Sequence, residues 1–458
     1  KKIKVDTAGD SEFLPGTTVE VLNFNEVNEE LAYRVGRAYA DLYYPKTMCI
    51  GYDVRPSSQK ICEAASRGLT DGGADVYNIG RCGTEMMYFG TFFYKMDGGF
   101  MITASHNPSN YNGIKIVRQE GIPVSEDTGL KDIEELAFSG DFKESEKKGT
   151  VYKKEIIDDY VKHILTFVDM KKMKPLHIVV DAGNGCANVA FAPLEKYLPF
   201  KFSYIDMQPD GLFPNGVPNP MLEECRKKLV DTVLKEKADL GIAWDGDFDR
   251  CFFIDENGKF VEGYYMVGLL AEYFLQLHKG ETIVHDPRVF WCTQKICEEL
   301  GGKAVESKGG HAFMKETMRK VKGIYGAENS AHHFFREFSY CDSGMIPWLI
   351  VAQIMSEKGK GLGELVAEME AEFPCSGEIN LPANHVNAIL EAIEKKYTPD
   401  AERIDKIDGI GVDFKNWRFN LRPSNTEPLI RFNMETRGDK ELLKEKENEV
   451  IELVKSLN

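Results

Sequence analysis

The sequence predicts an α/β fold, with three similar mixed α/β domains followed by a smaller C-terminal α+β domain, on three observations. At 458 residues and 43% hydrophobic content, the chain is too long for one core and apolar enough for several. From residue 26 onward, strand-type apolar runs alternate with amphipathic stretches, the βαβ pattern of a largely parallel sheet. Polar, turn-rich connections interrupt the alternation and place the domains at 1–150, 151–256, 257–372 and 373–458.

In the first domain, residues 26–45 make an amphipathic helix with Leu31, Val35, Ala38 and Leu42 on one side. Thr47–Ile50 is a strand ending in Gly51-Tyr-Asp-Val-Arg55-Pro-Ser-Ser58, a βα turn with Ser57 or Ser58 at the helix N-cap. A helix over 59–72 and strands at Asp75–Ile79 and Gly99–Thr103 follow, and the charge-mixed Ser139–Lys148 marks the boundary. The second domain has a helix over 155–169 and a strand His177–Asp181. The Ala-Gly-Asn-Gly185 after it is an ordinary βα turn, because the full Gly-x-Gly-x-x-Gly pattern is absent. Beyond the turn-rich Pro209–Gly216 come a helix over 221–237, strands Leu240–Trp244 and Cys251–Ile254, and a hairpin turn at Asp255–Gly258. The third domain repeats the scheme with a helix over 263–278, a strand Thr282–Asp286, a further helix and strand before Lys308-Gly-Gly-His311, and a strand from Ile324. The fourth starts near Pro374 and pairs Trp417–Leu421 with Leu429–Asn433.

Two loops carry the chemistry. Thr103-Ala-Ser105-His106-Asn-Pro108 leaves a strand end, where sites in open α/β sheets lie, and Asn107-Pro108 forces the chain out of regular structure. Ten residues on, Lys115 begins a return strand and brings a cation back toward Ser105. In Asp245-Gly-Asp247-Phe-Asp249-Arg250, three carboxylates alternate within five residues between two strands. Carboxylates so close repel one another, and a hard cation with oxygen ligands relieves the repulsion. Mg²⁺ suits them better than Ca²⁺, because three side chains fall short of a full oxygen cage and leave positions for phosphate or water. Arg250 balances the cluster or reaches an anion. In the last domain, Arg422-Pro-Ser424-Asn425-Thr426 joins two strands and puts a guanidinium beside small donors, a pattern suited to phosphate.

The formal net charge of −16 excludes nucleic acid as a natural partner and repels anionic substrates at long range, so a phosphate site must concentrate its own cations. The ten cysteines are scattered, with no CxxC and no metal-ligand spacing, which fits free thiols in a reducing cytoplasm. There is no signal-peptide pattern and no apolar run of membrane-spanning length, so no membrane partner is expected. The chain begins Lys-Lys rather than Met, as a piece of a longer one would.

The two loops resemble those of the phosphohexomutases, which move a phosphate between C1 and C6 of a hexose through a phosphoserine and Mg²⁺. The likeness runs over most of the chain and is strongest to the bacterial phosphomannomutase branch. It implies domains arranged around a central cleft and a cytoplasmic monomer or weak dimer. A phosphorylated hexose, mannose or also glucose, would be the substrate, and hexose 1,6-bisphosphate the activator. It implies phosphorylation of Ser105 and one Mg²⁺ bound by Ser105, Asp245, Asp247 and Asp249. His106, Lys115, Arg250 and His311 would be catalytic, with Arg55 supporting the active-site loops. Arg288, Glu328 and Ser330 would hold the sugar, and Arg422, Ser424, Asn425 and Thr426 the phosphate that is not reacting.

Two departures accompany the likeness. Val5-Asp-Thr-Ala-Gly-Asp-Ser-Glu-Phe-Leu-Pro-Gly16 stands where the family carries a Tyr-Asp-Ile-Arg-Gly-like segment, and Ala327 and Asn329 replace the usual Gly and Met. The same residues also admit a phosphoglucomutase specific for glucose, a metal-dependent phosphatase with Asp245 as nucleophile, or a sugar-phosphate-binding protein without turnover. His332, His333 and Asp342 suggest zinc but lack a third well-spaced ligand.

Overall fold

The computed structural model describes residues 28–125, 128–424 and 428–458, together with the backbone of the strands Lys4–Val5 and Thr18–Val21. Four sheets succeed one another along the chain, three mixed and the last wholly antiparallel. In the first, Gly98–Ile102, Thr47–Tyr52, Asp75–Arg81 and Val151–Lys153 run parallel. Asn112–Arg118 pairs antiparallel with Gly98–Ile102, so the sheet is mixed rather than largely parallel. The link between those two strands is too short for a helical crossover, which leaves only an antiparallel return.

The next two sheets repeat this arrangement. In the second, Lys201–Ile205, His177–Asp181 and Leu240–Trp244 are parallel, and Cys251–Ile254 returns antiparallel along Leu240–Trp244. In the third, Lys303–Glu306, Thr282–His285 and Tyr325–Ala327 are parallel, and His333–Phe335 returns along Tyr325–Ala327. Each domain thus ends a parallel strand in a short loop that leads straight into an antiparallel neighbour. The loops are 103–111, 245–250 and 328–332, and all three contain residues singled out above. The fourth sheet orders Ile379–Pro382, Leu429–Thr436, Trp417–Pro423, Ile410–Asp413 and Arg403–Asp405, with the helices Val386–Tyr397 and Lys440–Leu457 packed on it.

Local chemistry explains the helices. Asn28 caps Glu29–Tyr43 by accepting from the Leu31 amide at 2.9 Å, and the helix stops at Tyr44 in the left-handed region. Its neighbour Ser58–Asp71 packs backbone to backbone against it at Gly68, where a Cβ would lie 2.1 Å from the Tyr33 carbonyl oxygen. Ser57 stands at the N-cap of that second helix, as expected, but no side chain closes the cap. Ser57 accepts from Asn112 and Ser58 donates to Asp53, because both hydroxyls are committed to the turn that carries Arg55. The helix Thr84–Phe93 escapes the sequence reading because it is buried through most of its length and shows no polar stripe.

The first three domains share an apolar core, the fourth has its own, and buried polar groups tie them together. Trp244 of the second domain and Trp348 of the third pack edge to face with ring centroids 6.3 Å apart. Arg418 of the fourth sheet donates to the carbonyl of Pro287 at 3.1 Å and also to that of Arg288, while Glu435 accepts from the Phe290 amide at 2.8 Å. No helix of the described residues is long and apolar enough to cross a membrane. Glu85, on Thr84–Phe93, accepts from Tyr160, from Ser343 at 2.9 Å, and from the amides of Gly344 and Met345 at 2.6 and 3.1 Å, at the start of the helix Met345–Lys358.

Burial pushes the Glu85 carboxyl from 4.5 up to about 8, against the pull of those donors. The folded chain therefore keeps a proton that the unfolded chain releases, so this contribution to stability is complete below about pH 4.5 and is lost as the pH rises toward 8. Glu85→Gln removes the titration. The midpoint of thermal unfolding of the variant, relative to the wild type, is expected to rise between pH 5 and pH 8, read by scanning calorimetry; a difference independent of pH contradicts the assignment.

Candidate active site

The Ser105 loop is fixed from below by one arginine. Arg55 donates to the carbonyls of Ser105 at 2.9 Å, Asn107 at 2.7 Å, Pro108 at 2.5 Å and Tyr111 at 3.1 Å, and Asp53 pairs with its Nε at 3.0 Å. Ser105 itself has φ +50°, a left-handed conformation that costs a non-glycine residue roughly 1–2 kcal/mol. The Arg55 contacts and the Thr103 hydroxyl, which accepts from the Ser105 amide at 2.9 Å, offset that cost and aim the serine side chain.

The aspartate loop comes up against this serine with no space between the backbones. A Cβ on Gly246 would lie 2.3 Å from the Ser105 carbonyl oxygen, so glycine is required for the approach. Ser105 Oγ donates to Asp245 Oδ2 at 2.9 Å and lies 3.2 Å from His106 Nδ1. Arg250 pairs with Asp245 at 2.9 Å, donates to Ser105 Oγ at 3.3 Å and contacts His106 Nδ1. Lys115 does not meet the serine as its position in the sequence suggested. Its ammonium lies 2.7 Å from Asp247 and 2.7 Å from Asp249, with the Thr84 hydroxyl at 3.1 Å.

Every one of these side chains is buried, and their protonation follows from who faces whom. Burial opposes the charge on Lys115, but Asp247 and Asp249 outweigh it and hold the ammonium above its ordinary value. Burial likewise opposes the charge on Asp247, and Lys115 overcomes it, so this carboxyl sits well below the usual range. Burial raises Asp245 against the pull of Arg250, and burial with Arg250 nearby keeps His106 neutral.

The triplet fits a divalent cation. One carboxylate oxygen each from Asp245, Asp247 and Asp249 lies within 4.8 Å of the others, and Asp247 Oδ1 and Asp249 Oδ1 are buried without a hydrogen-bond partner. Such oxygens are costly unless a cation takes them up. A second group, Asp249, His332 and Asp342, also brings one ligand atom from each residue within 4.8 Å of the others. His332 Nδ1 is 3.0 Å from Asp342 Oδ2, whereas His333 turns away to Tyr325 at 2.7 Å, so the sequence-level zinc set does not assemble as three. Lys315 fills the far side of Asp342 at 2.7 Å.

The remaining candidates connect to this centre through the third domain. Arg250 and His332 form a backbone bridge, which seats the loop 328–332 beside the aspartates. Glu328 and Ser330 lie buried in that loop; Glu328 accepts from the Gly310 amide, next to His311 at the start of a helix. His311 Nδ1 is 3.5 Å from Lys315 Nζ, and burial together with Lys315 keeps it neutral. Asp286 links the loop onward, accepting from the Asn329 amide at 2.7 Å and pairing with Arg288 at 2.6 Å. Glu378 then bridges Arg288 and Arg422. Ser424 follows Arg422 at the strand end, and its amide donates to the Leu429 carbonyl at 2.9 Å. Asn425 and Thr426 lie outside the described residues, as does nearly all of the Val5–Gly16 segment.

Sequence reasoning missed Thr84, Lys315 and Glu378. Thr84 sits on the helix that shows no stripe, and Lys315 and Glu378 act across domains that no sequence spacing reveals. The Gly377-Glu378 pair just before a strand is the one local sign, and it reads equally well as a turn.

Four family models match in order: "Phosphoglucomutase/phosphomannomutase, alpha/beta/alpha domain I" over residues 18–144, domain II over 158–258, domain III over 262–373 and the C-terminal domain over 378–453. A phosphomannomutase of Salmonella montevideo is 48% identical over 438 residues, covering 94% of this chain and 96% of the relative. A protein of Xanthomonas campestris pv. campestris described as "Phosphohexose mutases" is 47% identical over 431 residues, with the same coverage of 94% and 96%. Among solved structures, a phosphoglucomutase/phosphomannomutase family protein of Burkholderia thailandensis shares the fold with a TM-score of 0.86 at 23% identity, covering 99% of this chain and 98% of that one. The parafusin phosphoglucomutase of Paramecium shares it with a TM-score of 0.80 at 16% identity, covering 99% and 96%. With a serine loop set against an aspartate triplet, and with these matches along nearly its whole length, the chain belongs to the phosphoglucomutase/phosphomannomutase family.

Proposed function

We propose that the protein is a phosphohexomutase that interconverts hexose 1-phosphate and hexose 6-phosphate through phosphorylated Ser105 and a hexose 1,6-bisphosphate, with mannose phosphates as substrates and glucose phosphates as a second pair. The observation that carries the reading is the 2.9 Å contact between Ser105 Oγ and Asp245 inside the buried triplet. It weighs against Asp245 as a nucleophile, because the carboxylate oxygen that meets the serine also receives Arg250 at 2.9 Å. On this reading Asp245 accepts the serine proton and does not attack phosphorus.

Asp245, Asp247, Asp249 and the Ser105 phosphate would hold one Mg²⁺, which when bound supplies positive charge to the phosphoryl group in transit. Arg250, within 3.3 Å of Ser105 Oγ, steadies the same group and keeps Asp245 oriented. Lys115 serves as charge stabiliser rather than base, since two carboxylates hold its proton. His106 fixes the serine's direction, and neutral His311 is available to take a proton from the sugar hydroxyl. Arg288, Glu328 and Ser330 hold the sugar side; Arg422, Ser424, Asn425 and Thr426 hold the other phosphate, whose binding positions the reacting end. Hexose 1,6-bisphosphate charges Ser105 at the start, and the protein works as a cytoplasmic monomer or weak dimer.

Incubation with mannose or glucose 1,6-bisphosphate is expected to add one phosphate by intact mass, stable to hydroxylamine. Ser105→Ala abolishes that gain and lowers kcat/KM in a coupled mannose 1-phosphate assay by at least about 10³-fold. Retained turnover with a hydroxylamine-labile adduct would transfer the role to Asp245. Asp249→Asn is expected to raise the Mg²⁺ concentration for half-maximal activity by roughly tenfold or more, since one charged ligand is lost; an unchanged Mg²⁺ requirement contradicts the triplet as the metal site.

A further inference from the structure

Glu378 stands among three arginines. Its carboxylate lies 3.5 Å from Arg288 Nη1, 3.2 Å from Arg422 Nη2 and 2.8 Å from Arg431 Nη1. Arg422 and Arg431 face each other directly across the paired strands Trp417–Pro423 and Leu429–Thr436, where like charges destabilise a sheet. Arg288 arrives from the third domain on the loop that Arg418 and Glu435 grip by its backbone. The contact between strands and the docking of two domains thus bring three guanidiniums to one focus, and that focus requires an anion.

We propose that Glu378 is a displaceable internal anion: Arg431 anchors it, and the non-reacting phosphate of a hexose phosphate takes Arg288 and Arg422 from it. This rests on the assignment of Arg422 to phosphate made above, and it moves Arg288 from the sugar to that phosphate. The contacts grade in that sense, shortest to Arg431 and longer to the two arginines that are handed over. Arg288 keeps Asp286 at 2.6 Å, and Arg422 keeps Asp408 at 3.7 Å, so each holds a second carboxylate while its other edge changes partner. A phosphate dianion carries more charge than a carboxylate and offers guanidinium a bidentate face, so the exchange runs toward phosphate. Competition from Glu378 keeps the grip reversible. A bisphosphate that must turn over between two half-reactions needs such a release, because three guanidiniums converging on it without a competing carboxylate would retain it.

The test uses the full chain and inorganic phosphate as the probe. By isothermal titration, Glu378→Gln is expected to bind phosphate about tenfold more tightly than the wild type, as removal of a competing charge from a buried charged site predicts. Saturating phosphate should also raise its thermal midpoint by more than that of the wild type, because phosphate restores the missing counter-charge. In the mannose 1-phosphate assay KM falls and kcat falls with it, since release slows. Unchanged or weaker phosphate binding in a folded Glu378→Gln overturns the proposal. If that variant does not fold, Glu378→Asp withdraws the carboxylate by one methylene and is expected to tighten phosphate binding by a smaller factor; unchanged or weaker binding there overturns it equally. Arg422→Gln separates the two levels. If it leaves phosphate affinity unchanged, the phosphate assignment itself fails; if it weakens binding while the Glu378 variants do not tighten it, only the exchange fails.

Discussion

Three carboxylates and one serine hydroxyl, contributed by two domains, are buried together, and the rest of the architecture answers to that constraint. Against Asp245, Asp247 and Asp249 stand Lys115 and Arg250, which leaves one negative charge uncompensated in the interior. A phosphate on Ser105 would add nearly two more. A buried excess of this size is relieved by a divalent cation or by a proton on Asp245, and the two orphaned oxygens of Asp247 and Asp249 mark where an ion would be taken up. Close backbone contact at Gly246 then makes the cluster a property of the interface between domains, not of either domain alone.

The same unit supplies all of the central loops. In each of the first three domains a parallel strand ends beside an antiparallel neighbour, and the short link between them emerges at the edge where helices no longer cover the sheet. Buried polar ties hold the domains so that these links meet: Glu85 at the helix beginning with Met345, the bridge between Arg250 and His332, and Glu435 at the Phe290 amide. The fourth domain closes the circuit through Glu378 and Arg418, which tie the strand end at Arg422 to the Arg288 loop.

Much of this was legible in the sequence, for physical reasons that can be named. Strand periodicity and the turn chemistry of Asn107-Pro108 and Asp255–Gly258 placed the serine and aspartate loops at strand ends, and three aspartates alternating in five residues already implied a shared ion. Arg55 was legible as a supporter of the loop only through family likeness; its four carbonyl contacts have no local signature. Lys115 was placed by its strand but aimed at the wrong partner, because nothing in the sequence says that the aspartates of another domain lie closer to it than Ser105. The helix Thr84–Phe93 was invisible to periodicity since most of its faces are buried, and with it went Thr84 and Glu85. Pairings across domains such as His332 with Asp249, or Glu378 with Arg288, exist only once the domains have docked.

Phosphoryl transfer by Ser105 requires one ion site shared by that serine and the triplet, and anomalous diffraction from crystals of the phosphorylated protein soaked in Mn²⁺ tests it most directly. A single strong peak is predicted, within coordination distance of oxygens from Asp245, Asp247, Asp249 and the Ser105 phosphate. A peak seated instead between Asp249, His332 and Asp342, or a Ser105 phosphate out of reach of the ion, would contradict it.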